Sequence, residues 1–164
     1  MLINADLLRT QIDYMSWANR RLVDAGRALS AAEQRRDFGT ADKSILGTLV
    51  HIFAAERVWL ARLESGTIQE FVTEADYEWP VLENDWRELE QCWKSWARNL
   101  ADEAIIKPLS YADRSGKPRH DPVWQIVLHL VNHGTHHRGQ VSGFLRSLGH
   151  TPPSLDLIQY YRNL

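Results

Sequence analysis

Four of the chain's seven histidines fall within nine positions, in the stretch HLVNHGTHHRGQ at residues 129–140. Imidazole does two kinds of chemistry near neutral pH: it moves protons, and its free nitrogen holds metal ions. On a helical wheel with His129 at zero, Ile126, Phe144, Leu130, Val123, Val141, Val127 and Leu145 span an arc from about 60° to about 160°. His137 falls inside that arc at about 80°, and His133 just outside it at about 40°. His136, at about −20°, points furthest from the core, with His129 between. His133 and His137 are therefore the inward pair. Residues four apart lie on one helix face, so two such imidazoles can converge on one ion. The same spacing also suits two boundary histidines that bind nothing.

A third ligand has to come from another helix, and His51 is the only suitably placed histidine, since His120 and His150 fall in loops. The apolar arc of its helix is centred well over a right angle away, which makes His51 a boundary residue. Its same-side neighbours Thr48 and Ala55 are small and leave room for a pocket. Glu56 lies inward, among Ile45, Leu49, Ile52 and Leu63. A buried carboxylate needs a partner. Glu56 is either ion-paired, with Arg138 as the natural cation, or a supporting or proton-transfer group. Asn19 shares the inward line of the first helix, and Gln140 follows the histidine run; both are candidates for orienting a substrate.

Two absences narrow the chemistry. No Glu-x-x-His occurs, so the motif of a ferritin-like di-iron site is missing. Gly134 stands where a zincin metalloprotease carries its general base. Gly134, Gly139 and Gly143 each cost a helix roughly 1 kcal/mol relative to alanine. Their natural reading is close packing against another helix or a subunit. Cys92 reads as a small buried hydrophobe.

The elements that must position these groups are four long amphipathic helices. Leu8, Ile12, Met15, Leu22 and Leu29 mark helix one at 5–29, and a Ser30–Glu33 capping box starts a short helix after it. Helix two covers 42–65 and stops at Gly66. Helix three covers 80–102, with the stripe Leu82, Trp86, Leu89, Trp93, Trp96 and Leu100. Helix four runs from Pro122 to Leu148, before Gly149 and Pro152–Pro153. Between helices three and four, KPLSYADRSGKPRHD predicts an exposed turn or short hairpin. The tail SLDLIQYYRNL adds a helical turn or two over one end. The prediction is an all-α four-helix bundle forming a single domain over residues 1–164.

Composition excludes several classes. A net charge of −2 with only two adjacent arginine pairs is no nucleic-acid footprint. No apolar run approaches the roughly 20 residues of a membrane helix. The single cysteine rules out an internal disulfide framework and suits a reducing cytoplasm.

His51, the run HGTHHRGQ, the tail LRSLGHTPPSLDLIQYY and the first-helix segment YMSWANRRLV together resemble the DinB-like superfamily, named after a damage-inducible bacterial protein. The resemblance covers nearly the whole chain. It implies a four-helix bundle, commonly a homodimer, holding a divalent metal on three histidines. Carried over by position, the ligands are His51, His133 and His137. Zinc is the first expectation for the ion, and imidazole also suits nickel and iron. Relatives include thiol-dependent enzymes that use bacillithiol or mycothiol, alongside members with no assigned reaction. The function expected is a metal-dependent thiol-transferase or hydrolase acting on a small molecule, with a low-molecular-weight thiol as co-substrate in the first case. The alternative from another class is a non-catalytic stress protein whose metal or histidine pocket is structural or binds a small molecule.

Overall fold

A computed structural model describes residues 3–66, 69–113 and 115–164. Helix α1 (Ala5–Arg27) opens on Asn4, whose side chain accepts from the Leu7 amide, and a short α2 (Ala31–Gln34) carries the complete Ser30–Glu33 capping box. Helix α3 (Ile45–Ser65) is capped by Ser44 and ends at Gly66, whose φ of 67° is the left-handed conformation glycine adopts freely. Helix α4 (Trp79–Arg98) begins with Pro80 in its first turn. After it come α5 (Asp102–Ile105), strands β1 (Pro108–Ala112) and β2 (Pro118–Pro122), α6 (Val123–Ser147) and α7 (Leu157–Tyr161).

The third long helix differs from the sequence expectation. It stops at Arg98 rather than continuing to residue 102, because α1 captures the chain there. The Arg9 guanidinium donates to the Ala97 and Leu100 carbonyls, and Asp102 Oδ1 accepts from the Ala5 amide at 2.7 Å. A side chain of each segment thus satisfies orphaned backbone groups of the other, which replaces continuous helix. The predicted hairpin is present, antiparallel, with Pro108 opposite Pro122.

The order of helices around the bundle follows from cross-helix contacts. Asn19 meets Arg138, and Glu33 meets His150, so α1 and α6 run parallel. Phe53 and Glu56 meet Trp86, while Glu64 lies near Cys92, so α3 and α4 also run parallel. Trp59 against His129 and Phe38 against Phe144 set α3 antiparallel to α6. Long connections at 28–44 and 99–122 carry the chain between diagonally placed helices. The core is built from Leu8, Ile12 and Leu22 of α1, Leu49 and Ile52 of α3, Leu82 and Trp93 of α4, and Leu130 and Leu145 of α6. No helix among the described residues is long and apolar enough to cross a membrane.

Three local expectations are corrected. Cys92 is exposed, since the buried stripe of α4 passes through Leu89 and Trp93 on either side of it. The tail covers a flank rather than an end: Gln11 donates to the Tyr161 hydroxyl, Tyr14 to the Leu155 carbonyl, and Tyr160 packs on Tyr14 and Trp17. Gly139 and Gly143 pack on no other helix among the described residues, with no heavy atom within 4 Å of an added Cβ, so of the expected close packing only contact with a subunit is left for them.

Gly134 makes room for a side chain of its own helix. A Cβ there would lie 2.6 Å from Nη1 of Arg138, which folds back along α6. That guanidinium is held on Asn19 Oδ1, Thr135 Oγ1 and the Val131 carbonyl, so it has little freedom to move aside. Gly134→Ala is expected to lower unfolding free energy by about 1–3 kcal/mol, despite alanine's better helix propensity. A denaturant titration showing a gain would mean that Arg138 relocates freely.

Candidate metal centre

His133 and His137 stand one turn apart on α6, where α3 packs antiparallel against it, and His51 faces them from α3. One nitrogen from each of the three lies within 4.8 Å of the others. His51 Nε2 and His133 Nε2 are 3.0 Å apart. Tetrahedral coordination with metal–nitrogen bonds of 2.0–2.1 Å places ligand nitrogens about 3.3 Å from each other, so the donor set fits a single ion. The ring centroids of His51 and His133 each lie 4.5 Å from that of His137.

Electrostatics keep the site ready for a cation. Burial pushes His133 down to about 4, and the flanking histidines add to the effect. The imidazole is therefore neutral at physiological pH, as a ligand must be. Gln140 Oε1 lies 2.8 Å from His137 Nδ1; an amide oxygen only accepts, so this contact favours the proton on Nδ1 and leaves the Nε2 lone pair for a ligand bond.

Asp42 is the residue that the sequence did not disclose. Its carboxylate oxygens lie 3.4 Å from His51 Nδ1 and 3.6 Å from His137 Nδ1, a charge contact spanning two of the three rings. Helix α3 begins at Ile45, not at residue 42, and the turn before it positions Asp42. Lys43 has a φ of 59°, the left-handed region that side chains disfavour. Its amide donates to Thr40, and Phe38 donates to the Lys43 carbonyl, which close the turn. Nothing periodic marks such a residue. The available signal was only a carboxylate shortly before the capping serine.

His129 and His136 are exposed. His120 is on β2 beside Ser110, and His150 pairs with Glu33 at 3.0 Å. Gln140 joins the three rings through His137, whereas Asn19 and Glu56 join each other: Asn19 Nδ2 donates to Glu56 Oε1 at 2.8 Å, and Trp86 Nε1 donates to Oε2 at 3.0 Å. Arg138 reaches Glu56 through Asn19 rather than directly. A cleft of about 470 Å³ opens beside His51 and is bordered by Asp42, Lys43, Phe71 and Val72. That is the size range of small-molecule sites.

The DinB family model matches residues 1–163. The chain belongs to the DinB family. It is 24% identical over 153 residues to Protein DinB of Bacillus subtilis (strain 168), covering 88% of this chain and 87% of that one. Among solved structures it is similar to YfiT from Bacillus subtilis, described as a probable metal-dependent hydrolase with an unusual four-helix bundle topology. The TM-score is 0.72 at 13% identity, covering 91% of each chain. A DinB-like protein from Bacillus cereus ATCC 10987 superposes with a TM-score of 0.66 at 17% identity, covering 94% of this chain and 99% of that one. These likenesses show the DinB-like four-helix bundle as the fold.

Asp42 makes a second prediction. Carboxylates behind metal-bound histidines fix ring orientation and raise ligand basicity, and their loss costs about 10–100-fold in metal affinity. Asp42→Ala is expected to weaken zinc binding by that factor, measured by competition with a chromophoric chelator. Unchanged affinity would reduce Asp42 to a solvent-side neighbour.

Proposed function

We propose that the protein is a metal-dependent enzyme, a hydrolase or thiol-transferase acting on a small molecule, with its ion held by His51, His133 and His137. The observation that carries this reading is the convergence of three imidazoles, from His51, His133 and His137, beside an open cleft. Three protein ligands with an open fourth position mark catalytic rather than structural zinc sites, which are closed by four. The family relationship and the description of YfiT as a probable metal-dependent hydrolase point the same way.

Zinc is the preferred ion, with nickel or iron as alternatives that the imidazole set tolerates. When bound, a divalent ion supplies Lewis acidity, which eases proton loss from water or a thiol near neutral pH. The residues of the chain do the rest. Gln140 holds the His137 tautomer, and Asp42 aligns His51 and His137. The Phe71 ring, 5.5 Å from that of His51, gives the cleft an apolar wall that limits water. The lone cysteine suits a cytoplasmic setting, and a homodimer fits the family pattern.

Cobalt separates the thiol branch from the water branch. In cobalt-loaded Cys92→Ser protein, which has no thiol of its own, added small thiols are expected to change the visible spectrum. The change should grow as pH rises toward the thiol's own pKa, because binding requires deprotonation. His137→Ala should abolish it. A cobalt-loaded site that no thiol perturbs would remove the transferase branch. Failure of the loaded protein to hydrolyse any of a panel of esters and amides would remove the other.

A further inference from the structure

The cleft beside His51 is bordered by four charged residues, Arg35, Asp42, Lys43 and Glu74. Arg35 is held by Glu74, Glu78 and the Tyr77 carbonyl, and Glu74 also accepts from the Ser44 hydroxyl. Asp42 lies against His51 and His137. Lys43 is exposed, and its ammonium has no ion pair or hydrogen bond among the described residues. We infer that Lys43 determines specificity at the metal centre, whose substrate is a small molecule bearing an anionic group, a carboxylate in the simplest case. The inference rests on the metal-dependent reading above and narrows its substrate class.

The backbone at this position does not account for a lysine. Its φ of 59° is left-handed, a conformation that glycine adopts freely and asparagine tolerates, but that a long side chain disfavours. The turn that sets Asp42 needs that conformation, closed by the Lys43 amide on the Thr40 carbonyl and the Phe38 amide on the Lys43 carbonyl. Glycine or asparagine would form the same turn at lower cost. Residues held in sparsely populated backbone regions cluster at ligand-binding and catalytic sites, and this one borders the same cleft as a metal ligand.

Charge selects the occupant. Imidazole ligands are neutral and leave a divalent ion its full charge. The bordering residues are two cations and two anions, so the loaded cleft keeps the ion's positive charge, with the Lys43 ammonium open to a partner. A cleft lined by one sign concentrates ligands of the opposite sign. Phe71 and Val72, both half-buried, give the same cleft an apolar side. The substrate therefore combines a reacting group for the ion, a short apolar body and an anionic group for Lys43. A cationic compound of the same shape is repelled, and a neutral one gains nothing from the lysine.

Hydroxamates of matched length test this on cobalt-loaded full-length protein, because a hydroxamate binds an open metal site whether the reaction uses water or a thiol. Succinate monohydroxamate ends in a carboxylate, butyrohydroxamate in a methyl group and β-alanine hydroxamate in an ammonium. Titrations followed in the visible spectrum at low salt give each dissociation constant. The anionic probe is expected to bind at least about fivefold tighter than the neutral one, the upper range for an ion pair at an exposed site. The cationic probe should bind most weakly, and added salt should shrink the differences. Lys43→Asn keeps the left-handed turn without the charge and should narrow the anionic-to-neutral ratio to under about twofold. Lys43→Arg should preserve the ratio. If Lys43→Asn loses its cobalt, Lys43→Gly, which suits the same φ, takes its place. Equal binding of all the probes, or an anionic preference that survives removal of the charge, would overturn the inference and leave the metal-dependent reading standing. Binding of none of them would instead remove the open metal site, and the inference with it.

Discussion

Alanine at His133 is expected to reduce zinc affinity by more than about a hundredfold, beyond the range for loss of a supporting residue. His133 Nε2 lies 3.0 Å from His51 Nε2, and the residue stands one helical turn from His137, so its loss leaves a two-nitrogen site. Alanine at His51 or His137 should do the same. His129→Ala and His136→Ala should change affinity by less than about threefold, because both side chains are exposed on α6. Chelator competition across the five variants checks this. Equal loss in all five would make the exposed histidines part of the binding set and the assignment of His133 and His137 wrong.

The second large effect concerns the buried network behind the site. Arg138 is 1% exposed and is the cation that balances Glu56 through Asn19. Removing one partner of a buried charge arrangement typically costs 3–5 kcal/mol. Arg138→Met is accordingly expected to lower unfolding free energy by about 3 kcal/mol at pH 8. The loss should shrink toward pH 5. Burial raises the Glu56 carboxyl from 4.5 to about 7, against the hydrogen bonds from Asn19 and Trp86 and the Arg138 charge. A group raised on folding contributes stability that is complete below its unfolded value and is lost as pH rises through its folded one. For Glu56 that window is pH 4.5 to 7, and removing Arg138 extends it upward. Denaturant unfolding of both proteins at pH 5 and pH 8 tests the point. An identical loss at the two pH values would show that Arg138 does not balance Glu56.

What the sequence made legible follows from periodicity. The wheel of α6 divides its four histidines into an inner and an outer pair, and their exposures divide in the same way. For His51 the wheel indicates a boundary position, and its side chain is indeed 23% exposed. The three rings lie on the flank where α3 meets α6, not on the bundle axis, so a boundary position is the right one for facing them. Glu56 was legible as inward, but its partner was not. The Asn19 bridge depends on how α1 and α6 come together in parallel, which no single wheel contains. Asp42 was hidden because a turn with a left-handed lysine has no period. The early end of α4 was hidden because the bonds that end it come from α1.

The central claim, a three-histidine ion site in a fold that stands without it, is tested most directly on untagged protein. Elemental analysis of the purified chain should find about one divalent ion per molecule, a count a histidine tag would confuse. Chelation should remove the ion and lower the melting temperature while leaving the far-UV circular dichroism of the helices unchanged, because the core of α1, α3, α4 and α6 closes without the site. Added zinc should restore both the count and the melting temperature. Protein that never holds an ion above background would contradict the account, as would loss of helicity on chelation.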